Sequence, residues 1–163
     1  MVAQPVGGAG SQFDVPEGIS IPEVVYLDEP EGGTPSVINT ERGLHRVADI
    51  LAAESGPVAV DTERASGIRY GQRAFLVQLK RGNSGVILID PESFDDLTLI
   101  NDALAGAEWV LHAATQDLPC LAEIGMYPDA LFDTELGGRL AGFERVGLEY
   151  MVENLLGYKL AKE

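Results

Sequence analysis

Asp61 and Glu63 stand one residue apart in the run Val58-Ala59-Val60-Asp61-Thr62-Glu63, which opens after Gly56-Pro57. A short run of small and β-branched apolar residues predicts a buried strand. Side chains alternate along a strand, so Val58, Val60 and Thr62 face one way and Asp61 and Glu63 the other. Two carboxylates then share one face at the end of a strand that is otherwise core, where unpaired anions are costly. A hard divalent cation such as Mg²⁺ or Mn²⁺, which selects carboxylate oxygens, is the simplest remedy. Acidic pairs at strand ends are common, however, and this one decides nothing alone.

A third acid adds weight. In His112-Ala113-Ala114-Thr115-Gln116-Asp117 the chain enters a helix expected from Thr115 to Ile124. At roughly 100° per residue, Cys120, Leu121 and Ile124 all fall within about 60° of Asp117. Asp117 therefore lies in the middle of the apolar face of its own helix, a place rarely given to an unpartnered charge. It also follows a parallel strand, near the strand ends where open α/β sheets build their sites. The plainer reading is a carboxylate stabilised by a helix start. Cys120, on the same arc, reads as core.

The elements that must carry these acids follow from the local patterns. Ser36–Ile38 predicts a short strand, and Thr40 an N-cap for a helix over Glu41–Ala53. Leu44, Val47, Ala48 and Leu51 form its apolar stripe, with His45 at the surface. After the polar segment Arg64–Gln72, strands are expected at Ala74–Lys80 and Val86–Ile89, joined by Gly82-Asn83-Ser84-Gly85. With Val58–Glu63 they make an antiparallel meander. A helix near Leu97–Leu104, a strand at Trp109–Leu111, the Thr115–Ile124 helix, a strand at Ala130–Phe132 and a helix from Asp133 follow as crossover units. The Leu148–Leu156 helix carries Leu148, Met151, Val152 and Leu155 as a core face. The sum is an α/β domain with one mixed sheet of about five strands and helices on both faces.

The chain has 163 residues, one domain's worth, and an apolar fraction of 45%. Residues 1–33 carry six acids, no Lys or Arg, and much Gly and Pro, and read as an acidic extension. The domain runs over 34–163. No apolar run is long enough to span a membrane, no signal peptide is evident, and the single cysteine suits a reducing compartment. The expected location is cytoplasmic. A net charge of −15 argues against nucleic acid as partner. Its distribution weakens that objection, because five of the eleven basic residues fall between Arg64 and Arg81.

The strand Asp61–Glu63, the strand Phe75–Leu79, Leu88-Ile89-Asp90-Pro91 and His112–Asp117 together resemble ribonuclease D. Phe132-Asp133-Thr134 ahead of a helix, and Gly147-Leu148 with Leu155-Leu156-Gly157, fall in that family's order. The resemblance covers roughly Val37 to Lys159. It implies a ribonuclease H-like, DnaQ-type 3′-5′ exonuclease fold, two divalent ions (Mg²⁺ or Mn²⁺), and trimming of RNA 3′ ends such as those of tRNA precursors. By resemblance, Asp61 and Glu63 are the first acidic motif and Asp117 the second, all three catalytic and metal-ligating. Thr62, Arg64, Arg69, Tyr70, Arg73 and His112 are then candidate contacts to the last nucleotides.

The family's third motif, Tyr-x-x-x-Asp on a later helix, has no match. Tyr150 and Asn154 have its spacing without its acid. The implied domain is therefore incomplete at its C-terminus, and little exonuclease activity is expected of these 163 residues alone. Two other readings use the same residues: an inactive nucleic-acid-binding or regulatory module, and an α/β domain whose acids are structural. Titration with Mn²⁺ separates the last from the others.

Overall fold

In the computed structural model, which describes residues 25–64 and 74–160, the first described elements are β1 (Val25–Leu27) and β2 (Val37–Ile38). Thr40 then caps α1 (Glu41–Ala53), its Oγ1 accepting the Gly43 N–H at 3.2 Å. That bond satisfies one of the amides a helix start leaves without an intrahelical partner. Leu44, Val47, Ala48 and Leu51 are the buried residues of α1, and His45 is exposed, both as the stripe predicts. The chain continues through β3 (Val58–Arg64), β4 (Ala74–Arg81), β5 (Ile87–Ile89), α2 (Thr98–Ala103) and β6 (Glu108–Leu111). α3 (Leu118–Glu123), β7 (Ala130–Asp133), α4 (Thr134–Leu140), α5 (Leu148–Leu156) and β8 (Tyr158–Leu160) complete it.

Six strands form the main sheet in the order β2-β5-β4-β3-β6-β7. The count exceeds five because two-residue β2 pairs in parallel with β5 at one edge. β3, β4 and β5 are antiparallel neighbours, the expected meander, and β3-β6-β7 are parallel. β1 and β8 pair in parallel as a separate ribbon.

One face of the sheet is closed and the other mostly open. Burial alternates along β3, with Val58, Val60 and Thr62 inside and Ala59, Asp61 and Glu63 outside. Their cross-strand partners follow suit: Val77, Leu79, Ile87, Ile89, Trp109 and Leu111 join the core beneath α1, α2 and α3. Arg81 ties this layer together, donating to the Leu51 carbonyl at 3.0 Å and to the Gly56 carbonyl at 3.1 Å. Phe75, two residues before buried Val77, is 43% exposed, beside the β3–β4 register shift at Glu63/Arg64.

On the second face, Gly137 of α4 lies against the Phe132 ring at the β7 end. α5 stacks on α4 through Met151 at Gly138 and has no buried residue. Its expected role as a core element is corrected: Leu148, Leu155 and Leu156 are 48%, 54% and 65% exposed. An apolar stripe states what a helix can bury, not what meets it.

Candidate active site

The buried residues nearest the acidic pair explain its layout. Thr62 and Asp117 are the only polar or charged side chains buried in the core among the described residues. They meet: Thr62 Oγ1 donates to Asp117 Oδ1 at 2.6 Å, and the Cys120 thiol lies 3.3 Å from the same hydroxyl. Cys120 Sγ in turn donates to the Asp117 carbonyl at 2.9 Å. Thr62, an expected substrate contact, is buried and supports Asp117, because its position in the alternation turns it inward. Replacing it with the isosteric Val leaves a buried carboxylate oxygen without its donor, a loss of about 1–3 kcal/mol. Thr62→Val should show that loss in urea unfolding, with an unchanged slope.

Asp61 lies on the opposite, open face of β3. Gln78, its partner across β4, donates from Nε2 to Asp61 Oδ2 at 3.2 Å. A shallow cavity of about 190 Å³ runs beside them, lined by Ala59, Asp61, Gln78, Lys80 and Val86 among others. Burial, and then the negative charge of Asp117, raise the Asp61 carboxyl above its ordinary value, against a lowering bond from the Thr62 backbone. The residue as a whole stays solvent-accessible. Repulsion between clustered acids is expected to raise one of them; here desolvation is the larger cause. Glu63 is exposed on the same face as Asp61.

Asp117 reaches its place by a turn that the helical pattern does not show. The expected helix over Thr115–Ile124 is corrected to a 3₁₀ turn at Ala114–Gln116, followed by α3 from Leu118. Ala113 is the one non-glycine among the described residues with positive φ, at 56°, a conformation that costs an L-residue roughly 1–2 kcal/mol. The Asp133 carboxylate accounts for it. It accepts the N–H groups of Ala113 at 3.1 Å and Ala114 at 2.9 Å, while capping α4 through Glu135 and Leu136. Burial pushes its pKa up, but these four bonds outweigh it and hold the carboxyl below its usual range.

The remaining predicted residues divide. Arg64 is exposed at the end of β3, its guanidinium 3.4 Å from Gln116 Oε1 beside Asp117. His112 is half-buried, with Nδ1 2.9 Å from Thr134 Oγ1. Arg69, Tyr70 and Arg73 lie outside the described residues. Gln78, Asp133 and Thr134 were not singled out as site residues. Gln78 had a signal, an amide inside an apolar strand opposite the acid pair.

A divalent cation fits these residues by chemistry. The donors are hard carboxylate oxygens, and two aspartates lie near enough for one charge to raise the pKa of the other. Among the described residues, no group of three or more His, Cys, Asp or Glu side chains is gathered as a metal cage. Asp61 is on the open face of β3, and Asp117 bonds Thr62 on the closed one.

Comparison with known proteins decides the family. The profile of the 3′-5′ exonuclease family matches residues 35–163. The chain belongs to that family. Within it, similarity is to ribonuclease D: the Acidiphilium cryptum protein is 34% identical over 138 residues, covering 82% of this chain and 35% of the relative. The crystal structure of a protein from Bifidobacterium adolescentis matches with TM-score 0.82 and 44% identity, over 86% of this chain and 35% of that one. Escherichia coli RNase D, described as an exoribonuclease involved in structured RNA processing, matches with TM-score 0.70 and 28% identity, over 80% and 35%. The fold is thus the ribonuclease H-like exonuclease type, and this chain spans about a third of the length of those relatives. No described helix is long and apolar enough to cross a membrane.

Proposed function

We propose that this chain carries the first two acidic motifs of a metal-dependent 3′-5′ exoribonuclease that trims structured RNA, tRNA precursors among them, by two-metal phosphodiester hydrolysis in the cytoplasm. One observation carries the reading. The acid of the turn after β6 lies close enough for its charge to help raise the carboxyl of the β3 acid, in a chain of the 3′-5′ exonuclease family. The relatives named Ribonuclease D are the support for RNA as the substrate.

In this reading Asp61 and Asp117 hold a divalent ion, Mg²⁺ or Mn²⁺, and Glu63 adds a third carboxylate from the Asp61 face. Such an ion, when bound, lowers the pKa of water and offsets charge on the reacting phosphate. Gln78 orients Asp61 and Thr62 orients Asp117, so neither carboxylate has to be ordered when substrate arrives. Arg64 offers its guanidinium to a phosphate at the strand end. Arg69, Tyr70 and Arg73, on the segment that follows, supply charge and stacking for the last nucleotides, and His112 borders the same turn.

Direction of attack tests the reading. Over long incubation with Mn²⁺, a 5′-labelled linear RNA should shorten one nucleotide at a time from its 3′ end, while a circular RNA of the same sequence stays intact. Internal cuts, or equal loss of the circle, would identify an endonuclease or a contaminant. Binding of the linear RNA with no shortening in any metal would favour the inactive binding module.

A further inference from the structure

The geometry points to Asp133 as a positioning residue for the exonuclease reaction, one that touches neither metal nor nucleotide but fixes where Asp117 stands. The inference rests on the proposed metal role of Asp117. β6 and β7 run in parallel with Leu111 opposite Asp133, so the carboxylate sits level with the end of β6, where the chain must turn. Both of its oxygens are in use. Oδ1 accepts from Ala113, Glu135 and Leu136, and Oδ2 from Ala114.

Two successive amides bonded to one carboxylate fix the left-handed Ala113. From there the path to Asp117 is a single 3₁₀ turn, closed by Gln116 N–H to the Ala113 carbonyl and Asp117 N–H to the Ala114 carbonyl, each at 3.0 Å. No flexible link intervenes. A second staple runs beside the first, from His112 Nδ1 to Thr134 Oγ1 and from that hydroxyl to the Leu111 carbonyl at 3.2 Å. Asp117 is therefore gripped from both ends: its carboxylate by Thr62 and its backbone by a turn clamped to β7. Asp133 does two separable jobs, capping α4 and clamping this turn.

Serine separates them. Ser at 133 can cap α4 through its hydroxyl, but it is too short and has too few lone pairs to reach Ala113 and Ala114 as well. Two readouts are expected to move in Asp133→Ser while the melting transition stays cooperative. Mn²⁺ affinity, by calorimetric titration of the whole chain, should fall at least tenfold. Cys120 is the only cysteine and is fully buried against Asp117, so its labelling by a thiol reagent under native conditions should speed up at least tenfold. Adding Ala113→Gly, which makes the left-handed turn free of strain, should recover part of both. Asp133→Asn, which keeps the shape but presents an amide to one of the two N–H groups, gives the same test should the serine variant not fold. Unchanged Mn²⁺ affinity and a protected Cys120 in a folded variant would overturn the proposal and leave Asp133 a helix cap. If the parent chain binds no Mn²⁺ at all, the metal reading of Asp117 fails, and the labelling rate still decides whether Asp133 holds the turn.

Discussion

Incubated with Mg²⁺ or Mn²⁺ and a single-stranded RNA, residues 1–163 are expected to release 3′ nucleotides orders of magnitude more slowly than ribonuclease D under the same conditions. Two-metal hydrolysis needs ions about 3.5–4 Å apart, clamping the attacking and leaving oxygens. The described residues gather no group of three or more ligating side chains. These 163 residues contain no Tyr-x-x-x-Asp, the third motif that the resemblance to ribonuclease D implies. Loss of one member of a unit that acts together commonly costs most of its rate enhancement. Rapid, metal-dependent trimming by this chain would mean that an acid already present fills the place, with Glu149 and Glu153 of α5 the first to replace.

Mn²⁺ should stabilise the chain even where it does not make it fast. At about 100 times its Kd, an ion bound only to the folded state adds about 2.7 kcal/mol, which for a chain of this size raises Tm by about 5–10 °C. Asp61→Asn should abolish that rise. In metal-free buffer the same variant should melt higher than its parent, because the two effects have opposite signs. The native Asp61 carboxyl has a raised pKa, so its contribution to stability is full below the unfolded value near 3.8 and lost as pH rises through the native one. At neutral pH the ionised group works against the fold, and the amide relieves it. The advantage of the variant should vanish in acid, where both side chains are neutral. A Mn²⁺ response that survives Asp61→Asn would place the ion elsewhere.

What the sequence made legible was local. The β3 alternation places Asp61 and Glu63 opposite Thr62 because period two needs no knowledge of neighbours, and the Thr40 cap and α1 stripe follow for the same reason. The burial of Asp117 also follows from its helical arc. The turn that delivers it does not: its left-handed alanine is held by a carboxylate twenty positions later, a distance no local pattern spans. The inward turn of Thr62 follows from the same alternation, but the partner of its hydroxyl, 55 residues away, does not. α5 failed differently. Its stripe is present, but amphipathicity cannot say whether a second surface meets it.

In the proposed function, Asp61 and Asp117 share a divalent ion. The most direct measurement is an anomalous difference map from crystals of this chain soaked in Mn²⁺. The expected result is a peak at about 2.0–2.2 Å from an oxygen of each carboxylate, within the range of hard oxygen ligation, with Glu63 turned toward it. It should be absent from Asp61→Asn crystals soaked alike. A map with no peak between the two aspartates at saturating Mn²⁺, or with the only peak elsewhere on the surface, would contradict the account.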